Sequence, residues 1–229
     1  LCDWSSDVCS SDLLNQVPWA KHKMANHREN HTVVPSAKSI MNDNVLPIVL
    51  VRDPFYWMQS MCKQGYGVRW DHDSQHHCPN LIPNEFDKKR FKKKRSRIDE
   101  NEKNNDDELA SNSVRVWMGA NPTEGPTWPS LIHYWNAWYE SYLFDAKWPR
   151  LIIRFEDTLF YPREVMTEVC RCGGGKLASP TFQYLLDEAK DHSHDQNNFV
   201  SAIVQYGTDK NRLRNMTSDD IQFAVQTLN

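Results

Sequence analysis

A chain of 229 residues with 39% hydrophobic and 25% charged content is long enough for one α/β domain with a real core, and reads as an ordinary globular protein. A formal net charge of −3 excludes an overall field that would draw in nucleic acid or an anionic membrane, so a phosphate-bearing ligand must be held locally. No apolar run approaches the roughly 18 residues of a membrane span, and no charged-then-apolar segment forms a signal peptide.

The first thirteen residues, LCDWSSDVCSSDL, repeat Ser-Ser-Asp and follow neither helix nor strand period. They look like a translated sequencing-adapter read and are set aside; the expectation is that native sequence upstream of Leu14 was lost. Four of the six cysteines then remain. Cys62 and Cys78 are spaced to close a loop in an oxidising compartment, whereas Cys170 and Cys172 are too close for an easy bridge.

In chain order, Ile48-Val49-Leu50-Val51 is a short apolar run that stops at Arg52, the pattern of a buried parallel strand. Asp53 and Pro54 follow as a helix cap and first helical residue. Leu131, Tyr134, Trp135, Trp138 and Tyr142 recur at helical spacing and predict an aromatic-faced helix. Leu151-Ile152-Ile153 is a second buried strand stopping at Arg154, and Pro162 opens an amphipathic helix carrying Val165, Met166 and Val169 on one face. Strand followed by helix occurs twice, which points to a three-layer α/β domain with a parallel sheet.

Three further helices are predicted towards the C-terminus: around Phe182, Leu185, Leu186 and Ala189; around Phe199, Ala202, Ile203 and Tyr206; and around Ile221, Ala224, Val225 and Leu228. Gly207 reads as a left-handed helix stop. Thr217 with Asp220 reads as a capping box. Residues 87–108, DKKRFKKKRSRIDENEKNNDDE, hold a basic block and then an acidic one with almost no apolar residues, and are expected to form a solvated, disordered insertion. Asp71, His72, Asp73, His76, His77 and Cys78 have donor atoms suited to zinc, but their spacing matches no standard metal motif.

The chemistry concentrates in VLPIVLVRDPFYWMQS. A strand ends at Arg52, a helix begins at once, and Ser60 lies about 9 Å along that helix at 1.5 Å per residue. A helix start offers backbone N–H groups and a partial positive charge, and an arginine offers a planar fork of donors; together they suit a phosphate.

This Arg-Asp-Pro after an apolar strand, with a serine farther along the helix, is similar to the 3′-phosphate-binding motif of PAPS-dependent sulfotransferases. The segments WPSLIHYWNAWYESYL and RLIIRFEDTLFYPREVMTEVC resemble the same family's aromatic helix, strand, turn and helix, with Thr158 and Leu159 departing slightly from its Arg-(Tyr/Phe)-Glu-Asp-Leu pattern. The resemblance implies a P-loop-like α/β fold and PAPS as sulfuryl donor, with no metal. It implies that Arg52, Ser60, Tyr206, Gly207, Lys210 and Arg212 bind the cofactor, Arg214 being a further candidate. Lys21 and His22, in Pro18-Trp19-Ala20-Lys21-His22, resemble the family's Lys-Thr-His segment without its threonine. On that match His22 is the general base and Lys21 screens charge on the bridging oxygen.

The family's Pro-Lys-(Ser/Thr)-Gly loop for the 5′-phosphosulfate has no counterpart here, so the expectation is a partial domain over residues 14–229 lacking the first strand-loop-helix unit and inactive by itself. The acceptor is expected to be a hydroxyl of a carbohydrate or protein, not a nucleic acid. The sequons Asn30-His31-Thr32 and Asn215-Met216-Thr217 point to a Golgi-lumenal, membrane-anchored parent glycoprotein. A nucleotide-kinase-like phosphotransferase and a non-catalytic nucleotide- or glycan-binding module are the alternatives.

Overall fold

The computed structural model describes residues 17–19, 22–28, 45–70, 77–89, 113–179, 181–182 and 199–228. Lys21, His31, the Asp71–His76 part of the donor cluster, the predicted Leu185–Ala189 helix face and residues 90–108 lie outside them. The chain combines helices with a two-stranded parallel sheet and a three-stranded antiparallel sheet, a mixed α/β architecture. It divides into two compact units, one from Leu1–Asp53 and Ser141–Asn211, the other from Pro54–Glu140 and Arg212–Asn229.

The first unit is organised by the two apolar runs. Strand β1 (Ile48–Val51) pairs in parallel with a strand at Leu151–Arg154, with Val49 opposite Ile152 and Val51 opposite Arg154. Its edge is guided by the Leu151 N–H, which donates to the Pro47 carbonyl at 2.9 Å. A segment near the N-terminus is pinned to the residues that precede the second strand. Trp19 is buried, its Nε1 donates to the Tyr142 hydroxyl at 3.1 Å, and that hydroxyl donates to the Lys23 carbonyl at 2.8 Å. Ala25, in a short 3-10 turn (Ala25–Arg28), donates its N–H to Ser141 Oγ at 3.1 Å. The Arg28 guanidinium lies 4.6 Å from the Trp148 ring centre and 5.7 Å from that of Trp19, so a cation that would be costly to bury is compensated by aromatic faces. Burial pushes the Tyr142 phenol up to about 12, so the hydroxyl stays protonated and keeps donating. Residues Ser141–Asp145 form a wide π-turn. The Arg150 Nη1 and Nη2 groups satisfy carbonyls of Leu143, Ala146 and Trp148 after it.

In the second unit, helix α1 (Pro54–Lys63) begins at the proline, as its fixed φ favours, and buries Phe55, Tyr56, Met58 and Met61. Helix α2 (Leu131–Glu140) forms where the aromatic spacing predicts, but of the expected stripe it buries Leu131 and Tyr134, leaves Trp135 and Trp138 half-buried, buries Tyr139 instead, and ends before Tyr142. Tyr134 contacts Trp57 at 5.9 Å between ring centres and Trp128 at 4.6 Å, and its phenol is pushed up to about 12 by burial and then by Tyr139. Strands β2 (Val68–Trp70), β3 (Val116–Met118) and β4 (Thr127–Trp128) form the antiparallel sheet, which the apolar pattern does not announce. A Cβ at Gly125 would stand 2.0 Å from the Met118 carbonyl oxygen, so the β3–β4 connection needs a glycine there. Cys62 and Cys78, whose spacing allowed a bridge, form a disulfide at a sequence separation of 16.

Two expectations need correction in this unit. Asp87, placed at the start of a solvated insertion, is fully buried; it accepts from Asn80 Nδ2 at 2.6 Å and from the Asn84 N–H at 3.0 Å. Local side-chain bonding therefore holds the chain at residue 87, and only residues beyond it can belong to an insertion. On the last helix (Ser218–Thr227), Val225 was expected on the apolar face but is 60% exposed, while Asp220 and Ala224 are buried. The face turns because Asp220 is drawn inwards by its bonds.

Those bonds hold the unit together. Thr217 and Asp220 form the predicted capping box. Asp220 also accepts the N–H groups of Leu81 at 2.8 Å and Ile82 at 3.1 Å, and lies 3.1 Å from His77 Nε2. Burial alone would raise the Asp220 pKa, but the Leu81, Thr217, His77 and Ile82 bonds outweigh it and lower the group below the ordinary carboxylate value. A folded-state pKa below the unfolded one contributes stability above the ordinary value and loses it as pH falls through the folded value. Asp220→Asn should therefore cost at least about 2 kcal/mol at pH 7. Its unfolding free energy should also vary less than wild type below about pH 4; urea titrations across acidic pH check both.

Candidate functional site

Three stretches singled out in the sequence converge in the first unit. β1 and its partner, β5 (Leu151–Arg154), leave the sheet at the same end. Their carboxyl ends carry Arg52-Asp53 on one side and Phe155-Glu156 on the other, the place where open parallel sheets bind ligands. Helix α3 (Phe155–Phe160) starts without an intervening loop, and helix α4 (Pro162–Cys172) follows, burying Met166, Val169 and Cys170. Helix α5 (Phe199–Tyr206) ends beside α3, with the Tyr206 and Phe155 rings edge to face at 5.2 Å.

Arg52 lies beside both rings, which also touch each other. Its guanidinium carbon is 5.1 Å from the centre of Phe155 and 4.9 Å from that of Tyr206, and an Nη donates to the Tyr206 hydroxyl across a sequence separation of 154. Two ring contacts and the bond to the Tyr206 hydroxyl hold the guanidinium in place, and its planar fork of donors suits an anionic oxygen pair. The Asp53 N–H donates to Glu156 Oε1 at 3.0 Å. The carboxylate of the second strand-helix turn therefore uses the backbone donor that immediately precedes helix α1.

Gly207 is not a left-handed stop. Its requirement is steric, because a Cβ there would lie 2.8 Å from the Ile203 carbonyl oxygen, to which its own N–H donates at 2.8 Å, and 3.7 Å from the Phe160 ring. Lys210 is exposed in the helical turn α6 (Asp209–Arg212). Ser60 and Arg212 belong to the second unit, where Arg212 lies 4.6 Å from the centre of the Phe55 ring and its carbonyl accepts from Gln59 Nε2 at 2.7 Å. Arg214 is exposed in the same unit.

His22 is exposed in the turn that leads into the 3-10 segment. Its neighbour His27 is half-buried, and burial followed by the Lys23 charge lowers its pKa below the ordinary histidine value against a raising contact with the Met24 backbone. His27 is therefore largely unprotonated at neutral pH. Its Nδ1 lies 3.0 Å from Asn26 Oδ1.

Phe155 and Glu156 are the site residues that motif reading passed over. The signal was present: each apolar run stops at an arginine followed closely by an acidic residue, so parallel pairing had to bring the two turns together. Among the described residues there is no cluster of three or more histidine, cysteine or acidic side chains arranged to hold a metal, and no helix is long and apolar enough to cross a membrane. Compared with protein-family models, curated proteins and solved structures, the chain matches none.

Tyr206→Phe keeps the ring over Arg52 and removes only the hydroxyl. It should destabilise the chain by about 1 kcal/mol, and Tyr206→Ala, which also removes both aromatic contacts, by more. Denaturant unfolding of the two variants against wild type measures the difference.

Proposed function

We propose that this chain is the 3′-phosphate-binding part of a sulfotransferase that moves a sulfuryl group from PAPS to a hydroxyl of a carbohydrate or protein acceptor. The observation that carries the reading is the meeting of Arg52, Phe155 and Tyr206 at the carboxyl ends of a parallel strand pair. Contacts join the Arg-Asp-Pro turn, the Arg-Phe-Glu-Asp turn and Tyr206. Convergence on one arginine is what a shared phosphate site needs and what unrelated surface turns have no reason to produce.

On this reading a P-loop-like sheet presents Arg52, whose planar donors bind oxygens of the 3′-phosphate. Tyr206 orients the guanidinium through its hydroxyl and ring. Lys210 adds positive charge from the C-terminal segment. Bound PAPS supplies an activated sulfuryl group whose leaving group is adenosine 3′,5′-bisphosphate. His22 takes the acceptor hydroxyl proton, with Lys21 screening charge beside it; a Golgi-lumenal parent suits a carbohydrate or protein acceptor. The reaction needs positioning and cationic stabilisation, without a metal or a covalent intermediate.

The decisive experiment is calorimetric titration of adenosine 3′,5′-bisphosphate into the longer protein and its Arg52→Ala variant. Removing a charge-assisted phosphate contact should weaken binding by about 1.5 to 3 kcal/mol; equal affinities would remove Arg52 from the site and overturn the reading. For the chemical step, His22→Ala should lower kcat by about 10² to 10⁴ with cofactor affinity nearly unchanged. If His27→Ala has that effect instead, the base lies one turn farther on. Wild-type kcat in both variants would exclude each of them as the base.

A further inference from the structure

Outside the arginine site, the sequence Asn215-Met216-Thr217 carries the Asn-x-Thr pattern that glycosyl transfer to asparagine requires. Asn215 is exposed and adopts φ 64, a left-handed conformation that asparagine tolerates better than most residues. The turn is closed behind it by the Met216 N–H, which donates to the Leu213 carbonyl at 3.2 Å. A second, independent observation lies in the same unit: the Cys62–Cys78 disulfide, a bond that forms and persists in oxidising compartments, including the lumen where asparagine glycosylation takes place.

We propose that Asn215 carries an N-linked glycan, attached before the helix at Ser218–Thr227 acquires its cap. In the transfer, Asn215 Nδ2 forms a bond to the anomeric carbon of a lipid-pyrophosphate-linked oligosaccharide. The anomeric carbon–oxygen bond breaks, the lipid pyrophosphate leaves with that electron pair, and one amide proton passes to a base; nothing is oxidised or reduced. The order of events follows from Thr217. In the folded chain its hydroxyl donates to Asp220 Oδ2 at 2.7 Å and accepts the Asp220 N–H at 3.1 Å. The hydroxyl that completes the acceptor pattern is thus engaged on both sides by the capping box. Once the box closes, the pattern is locked, so transfer belongs to the nascent chain. Asn215 itself stays on the outside of the turn, where a large polar adduct displaces no packed side chain.

The test directs the full chain into the lumen of a eukaryotic secretory host behind a cleavable signal peptide. Peptide mass mapping, with and without peptide N-glycosidase, reads occupancy on secreted and retained protein alike, so variants that fold poorly still report. The expected result is a glycan on the Asn215 peptide that the glycosidase removes, leaving aspartate. Asn215→Asp and Thr217→Ala should abolish it. Thr217→Ser, which keeps both a capping hydroxyl and the acceptor pattern, should retain it. Unmodified Asn215 in wild-type chain whose signal peptide has been cleaved would overturn the proposal. Folded chain offered afterwards to the transferase should stay unmodified, and its modification would overturn the proposed order.

Discussion

Parallel hydrogen bonding between Ile48–Val51 and Leu151–Arg154 places Val51 opposite Arg154, and from that register most of the first unit follows. Residues directly after the two strands become neighbours, so Arg52 and Phe155 meet although a hundred residues separate them. A slip of one residue would send every strand side chain to the opposite face, taking Val49 out of the core and changing the direction in which the chain leaves towards Arg52. Because helix α3 starts at Phe155 without a loop, the ring has little freedom to drift. Tyr206, at the end of α5, then completes a cluster with Arg52 and Phe155.

The same register explains what could be read from the sequence. Continuous apolar runs ending in a charged residue read as strands buried on both faces; both runs fold as parallel strands with nearly the expected limits, but Val49 alone among them is buried, and the second strand is not the buried one expected. The capping box at Thr217 and Asp220 was equally legible, since its partners are three residues apart. The antiparallel sheet was not. Its strands are two or three residues long and include Arg69 and Thr127, too short and too polar to show a period. Gly207 was read by its position after a helix, but what it avoids is a carbonyl four residues back, and a helix pattern alone does not distinguish the two reasons. Val225 was assigned to the apolar face by periodicity, and the buried Asp220 carboxylate rotated that face.

Asp220 shows why local signals mislead when they are taken as complete. Three residues of sequence explain its bonds to Thr217, yet its other acceptor bonds reach Leu81 and Ile82, more than a hundred residues away. A carboxylate that satisfies backbone donors on a distant segment behaves as a core residue, with a buried aspartate taking the place that an apolar side chain holds elsewhere. His77 stands next to the disulfide cysteine and joins the same carboxylate. The covalent link from Cys62 and the hydrogen-bonded contact with the last helix therefore constrain one short segment from both of its sides.

Aromatic stacking is what keeps Arg52 in place. β1 and β5 make a narrow sheet; Ile152 is 45% exposed, and on the helix that carries Tyr206 the residues Val200 and Val204 are 60% and 59% exposed. Apolar burial on these elements is incomplete, so it cannot by itself fix the geometry around the guanidinium. The Phe155 and Tyr206 rings and the Tyr206 hydroxyl supply the missing constraint, because the guanidinium contacts both rings and is hydrogen-bonded through an Nη. A lysine would preserve the charge but neither the plane nor the paired donors. The arrangement is therefore specific to arginine, and the cation it holds is oriented before any anion arrives, so less ordering remains to be done when one binds.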